Sequence, residues 1–299
     1  MRIGYPCINR AIGCTANHTF RLASYSDGRL LRTVGDNLDC LERVLSWNVD
    51  RGILSFRIGS GLVPFASHPV CTAPWQEEFS DRFAAIGAFA RKHALRISMH
   101  PDQFNLLNAK DPAIVERTVT ELMYHAEVLD LLGLGPDAKI QVHVGGVYGD
   151  RESAMARFVE THGTLDPRLR RRLAIENDDG RYTARDCLAV SGACGVPVVL
   201  DVFHHAVHGD GRLIGPLLDE VASTWKPADG PPMVDYASQA PGRRRGTHAE
   251  SLDDEDFARF LAASAGRDLD LMLEIKDKEA SALRALALAT GDPRVLKVS

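Results

Sequence analysis

Apolar positions along the chain alternate between two rhythms. After IGY at 3–5 and a long polar loop, the segment 37–51 places Leu38, Leu41, Val44, Leu45 and Val49 at helical spacing. ILSFRIG at 53–59 then has the β-rich character of a strand, and Phe79, Phe83, Ile86 and Phe89 mark the next helix. LRISMH at 95–100 alternates inward and outward residues and ends at Pro101, which discourages helical continuation. Segment 113–132 carries a buried helical face of Ile114, Val115, Leu122, Val128 and Leu132, followed by the strand and turn KIQVHVGG at 139–146. The alternation continues through strands at 173–177, 197–202, 233–237 and 270–275, with helices near 183–194, 212–224, 253–265 and 278–289.

Eight strands with crossovers predict an α/β protein, a single (β/α)8 TIM barrel occupying 1–299 as one domain. The competing open, doubly wound sheet would be expected to carry a phosphate-binding glycine fingerprint. Neither G-x-G-x-x-G after the first strand nor G-x-x-x-x-G-K-[ST] is present.

The candidate chemistry sits where barrel strands end, because those ends converge on one mouth. His100, His143, Glu176, Asp201, Asp235 and Glu274 occupy strand ends, and His68, His204 and His248 lie in the loops beyond. Buried charges of this kind are costly unless paired or metal-bound. One such histidine is ordinary; the set over six strand ends predicts a metal site. Imidazole and carboxylate without thiolate suit Mn, Zn or Fe, and the cluster exceeds one tetrahedral ion. Two or three divalent ions would fit, with Glu176 and Glu274 as bridging candidates and Asp201 paired with His204. His205 and His208 are open to direct ligation, a supporting position or solvent. Asn177, Asp178 and Asp179 extend the turn after Glu176, where capping and solvation are the simpler roles for the two aspartates.

Charge and composition refine this picture. The balance of 45% hydrophobic and 25% charged residues is that of an ordinary globular protein, and the net charge of -5 gives no global basic signature of nucleic-acid binding. Local basic runs therefore matter. Arg168, Arg170, Arg171 and Arg172 precede a strand and are best taken as a solvated far surface, whereas Arg243, Arg244 and Arg245 follow a strand and could hold a DNA backbone at the mouth. Cys7, Cys14, Cys40, Cys71, Cys187 and Cys194 include no C-x-x-C pair and are expected to be reduced and mostly structural. With no signal-like start and no long apolar run, the expectation is a cytoplasmic monomer without a membrane partner.

The ordered segments IGYPCIN, FRIGSGLVPFASHP, SMHPDQF, HVGGVYGD, LAIENDD, VVLDVFHH, VDYASQ, RRGTHAES and MLEIKDKE resemble the UV damage endonuclease family, barrel nucleases related in architecture to endonuclease IV. The resemblance implies a Mn-dependent endonuclease acting on double-stranded DNA. It would incise immediately 5′ of cyclobutane pyrimidine dimers and 6-4 photoproducts and leave a 3′-hydroxyl. By similarity the metal set is His68, His100, His143, Glu176, Asp201, His204, Asp235, His248 and Glu274, with Glu176, Asp201 and Glu274 catalytic. Lesion recognition falls on Tyr5, Asn9, Gln103 and Phe104, although Tyr5 and Asn9 could equally satisfy local backbone groups. Two departures stand out: Met233 occupies a position where the family commonly has a Lys, sometimes carboxylated, and Asp235 one where it often has His. A third metal position is the one these changes affect, since Met is a poor ligand for a hard ion. Phe104 replaces a frequent Tyr, keeping the stacking face. The competing functions are a xylose-isomerase-like, metal-dependent sugar isomerase or epimerase, and a noncatalytic damaged-DNA-binding protein.

Overall fold

Short runs that combine β-formers with burial on both faces pair side by side until the sheet closes on itself. In the computed structural model, which describes residues 1–297, eight parallel strands form a closed barrel in sequence order. They are Ile3–Pro6 (β1), Ser55–Ile58 (β2), Arg96–Met99 (β3), Ile140–His143 (β4), Leu173–Glu176 (β5), Val198–Asp201 (β6), Met233–Tyr236 (β7) and Asp270–Leu273 (β8). The expected (β/α)8 TIM barrel is thus the observed fold. Almost every strand residue is buried, as a parallel sheet covered by helices outside and filled by side chains inside requires. Register sets the strand ends level: His143 pairs with Glu176, and Asp201 with Asp235.

Three expectations about the covering layer need correction. The first helix runs Asp27–Val49, not 37–51, because Ser26 caps it by accepting from the Arg29 amide and Leu30 and Val34 extend the buried stripe. A helix at Arg151–Thr164 was not expected. Its buried residues are only Ala154, Phe158 and His162, too sparse a stripe to register as a helical period. Arg172 is not a solvated far-side charge: it is buried, pairs with Asp130 at 2.6 Å and donates to the carbonyls of Leu134, Gly135 and Ala138.

The cysteines also depart from the fully reduced expectation. Cys14, in the loop after β1, is disulfide-bonded to Cys40 on the first helix, 26 residues away. Cys7, Cys71, Cys187 and Cys194 are free. Sequence spacing carried no sign of the pair because the fold, and not a local motif, brings the two together.

Inside the barrel, side chains lie in layers. At the N-terminal end of the strands Arg96 meets Asp270 at 2.9 Å, and Lys139 meets Asp229 at 2.5 Å. An apolar cluster of Ala174, Val199, Met233 and Trp225 closes the lumen, with the Trp225 indole donating to the Val198 carbonyl. The polar strand ends stand at the opposite mouth.

Candidate metal centre

The mouth is furnished by the last residues of several strands and the residues just beyond them. Glu176, at the end of β5, is the hub: His100 Nε2 lies 3.2 Å from it, His143 Nε2 3.8 Å and His204 Nδ1 3.2 Å. Asp201, ending β6, accepts the His204 amide and thereby caps the short helix Val202–His208, which sets His204 against Glu176 and Asp201. Two groups able to hold a cation result, His100–His143–Glu176 and Glu176–Asp201–His204. They share Glu176, and a carboxylate has two oxygens with which to serve both.

The electrostatics are those of a site short of positive charge. Asp201 is fully buried and its Oδ2 lacks a hydrogen-bond partner, as do Nδ1 of His100 and of His143. Burial pushes the Asp201 carboxyl well above the usual range despite the neighbouring His204. Burial also opposes ionisation of Glu176, yet His143, His100 and His204 hold its carboxyl well below its ordinary value. Buried orphaned donors and acceptors normally cost free energy. A divalent cation would use the unpartnered Asp201 oxygen and the imidazole nitrogens that face Glu176, so these residues fit the group.

A family model described as UV-endonuclease UvdE matches residues 1–295. The chain belongs to the UvdE family. It is 33% identical over 288 residues to a UV DNA damage endonuclease of Clostridium perfringens, covering 96% of this chain and 70% of that protein. A UV DNA damage endonuclease of Bacillus cereus is 30% identical over 296 residues, covering 96% and 93% of the respective chains. The crystal structure of SacUVDE superimposes with a TM-score of 0.93 at 40% identity, covering 97% of this chain and 98% of that one. D-psicose 3-epimerase from Clostridium cellulolyticum matches with a TM-score of 0.55 at 14% identity, over 86% of this chain and 93% of its own, a likeness of fold alone.

In this UvdE-family barrel the remaining expected ligands stand apart from the two groups. His248 continues the arc of imidazoles, its ring centroid 6.3 Å from that of His204, and is oriented by the Glu274 carbonyl 2.6 Å from Nδ1. His68 is exposed in the loop after β2, with Nδ1 accepting the Val70 amide. Asp235, also expected as a ligand, has both oxygens 2.8 Å from Nη2 of Arg57, and Glu274 pairs with Nη1 of the same guanidinium. Sequence reasoning missed Arg57 because an arginine within a β-run looks like a solvent-facing residue; its side chain instead crosses the lumen to Gln141, Asp235 and Glu274. Asn177 was also undervalued. Its side chain bridges the Asp201 backbone from both sides, donating to the carbonyl and accepting the amide, which locks the end of β6 to β5.

The residues expected to meet DNA divide likewise. Phe104 is 77% exposed and, with His68, Pro69 and Asp102, lines a groove of about 790 Å³ beside the mouth; Gln103 is exposed next to it. Tyr5 and Asn9, also expected at the lesion, are buried. The Tyr5 hydroxyl donates to Asn48 and accepts from Asn9, whose own oxygen accepts the amides of Ala11 and Ile12. They order the loop after β1. Arg243 and Arg244 are exposed, and Arg245 reaches the Ala206 carbonyl. Their loop approaches Asp179 and Val207 at Gly246, on the mouth side. Of the neighbouring polar residues, His205 ties its loop through the Arg212 carbonyl, and Asp178 caps the turn by accepting three amides from Gly180 to Tyr182.

Proposed function

We propose that this chain is a manganese-dependent endonuclease that incises duplex DNA immediately 5′ of ultraviolet photoproducts, cyclobutane dimers and 6-4 products, and leaves a 3′-hydroxyl. The observation that carries the reading is the pair of three-residue ligand groups joined at Glu176 in the barrel mouth. Membership of the UvdE family and the names of the relatives, UV DNA damage endonucleases, support the choice of substrate.

His100, His143, Glu176, Asp201 and His204 would hold the ions, with His248 closing the arc; the hard carboxylate and imidazole donors suit manganese. Bound there, the cations supply an activated water and stabilise the charge of an in-line phosphoryl displacement. The chain does the positioning. Glu176 and Asp201 would hold the cations that meet the reacting phosphate, and Glu274, the more open of the acidic strand ends and held by Arg57, is the third catalytic carboxylate. Arg243, Arg244 and Arg245 take phosphates of the duplex, and Phe104 with Gln103 fills the gap of a distorted step. The protein acts as a cytoplasmic monomer; no helix among the described residues is long and apolar enough to cross a membrane.

A defined duplex with one pyrimidine dimer tests the reading directly. Manganese should yield a nick immediately 5′ of the dimer, and EDTA should prevent it. Lesion affinity without cleavage in manganese would make the chain a binding protein, and indifference to DNA altogether would return it to the sugar-epimerase class.

A further inference from the structure

Arg57, on β2, is a charged side chain of the mouth whose terminal nitrogens are already paired by other residues of the chain. Its side chain is 3% exposed and crosses the lumen to residues of β4, β7 and β8. Nη2 donates to both oxygens of Asp235 at 2.8 Å and to Gln141 at 3.0 Å, while Nη1 holds Glu274. Gln141 in turn donates to Glu176 at 2.6 Å and to Asp235 at 2.5 Å, tying this end of the mouth to the ligand end. Neither cation group found among the described residues includes Asp235 or Glu274.

The mouth therefore contains four carboxylates, Glu176, Asp201, Asp235 and Glu274, that divide into two pairs. Glu176 and Asp201 face imidazoles and leave a buried oxygen unpartnered. Asp235 and Glu274 face a guanidinium, which is always charged and whose planar fork matches two carboxylates at once. Beneath Asp235, Met233 packs with Ala174, Val199 and Trp225 and offers only a thioether.

We infer that the Arg57 guanidinium serves as a built-in cation between Asp235 and Glu274, so that exchangeable metal binds only at the two groups sharing Glu176. The inference rests on the reading of the mouth as a metal centre and specifies its occupancy. Arg57 is on this account a positioning residue: it fixes Asp235 and Glu274 and neutralises them without a removable ion. Gln141 transmits the spacing between the two halves.

The test is a metal count by plasma mass spectrometry on manganese-saturated protein freed of excess ion. Wild type should carry about two ions per chain, as should Asp235→Asn with Arg57 intact, because that aspartate is not a ligand. Arg57→Met, which empties the fork but keeps much of the volume, should carry about three, the freed Asp235 and Glu274 taking up a cation in its place. A wild type with three ions, loss of an ion in Asp235→Asn, or a folded Arg57→Met that stays at two would each overturn the inference. If Arg57→Met does not fold, the wild-type and Asp235→Asn counts decide it alone. No DNA is needed for these counts, so a failure here leaves the incision result standing, and a failure of incision leaves the counts standing.

Discussion

The two ends of the barrel lumen bury charge in opposite ways. At the N-terminal end Asp270 is held by Arg96 and Arg2, each at 2.9 Å, and Lys139 by Asp229; Arg96 also donates to the carbonyls of Asp229 and Pro231. None of these side chains has a buried polar atom without a partner. At the C-terminal mouth Asp201, His100 and His143 each keep one, within a cluster of acids and imidazoles. Buried aspartates thus belong to a closed network with arginine and lysine at one end and to an open one with imidazoles at the other. Complete satisfaction is what a structural ion-pair network requires, since removing one partner leaves a bare charge in low dielectric. Incomplete satisfaction concentrated at one mouth marks the place where an external cation completes the coordination.

Breaking the closed end should have the largest effect on stability and none on metal. Asp270→Asn leaves Arg96 and Arg2 without their anion and is expected to cost about 3–5 kcal/mol, read by urea denaturation, with manganese content unchanged. An unchanged midpoint would mean that the lower network does not hold the barrel. At the open end the pattern should invert. Glu176→Gln is expected to lower incision by more than about a hundredfold and to reduce bound manganese, because it removes the shared ligand and not merely a supporting group. Its thermal midpoint without metal should fall, since the three imidazoles lose the anion that they hold ionised; cutting at the wild-type rate under limiting manganese would contradict the hub assignment.

Around the mouth the expected effects are smaller and fall on DNA. Phe104→Ala should keep stability and metal content but weaken engagement of a dimer by roughly tenfold, the value of about 1–3 kcal/mol for stacking on one base, and Phe104→Tyr should be tolerated. A folded, metal-loaded Phe104→Ala with unchanged incision would remove the wedge. Replacing Arg243, Arg244 and Arg245 together should weaken damaged and undamaged duplex alike, with the salt slope of binding reduced by about one for each phosphate that the variant no longer neutralises. An unaltered slope would identify a solvated loop.

How far the site could be foreseen follows from the same contrast. His100, His143, Glu176, Asp201 and His204 were visible because each ends a strand or follows one directly, and a barrel brings strand ends together whatever the intervening helices do. Tyr5 and Asn9 also flank a strand end, yet their partners Asn48, Ala11 and Ile12 draw them into the interior. Phe104, beyond Pro101, had no such partners and stayed outside.

By itself the sequence determined the alternation of strand and helix, and through it the barrel and the set of polar residues at its mouth. These depend on periodicity and on breakers such as Pro101, which act over a few residues. Only the tertiary structure decided how those polar residues divide. Arg57 and Asp235 are 178 positions apart, Arg57 and Glu274 217, and the Cys14–Cys40 bond spans 26. Which charges meet is set by closure of β8 against β1 and by the inward register of each strand, a long-range geometry that leaves no local mark in the chain.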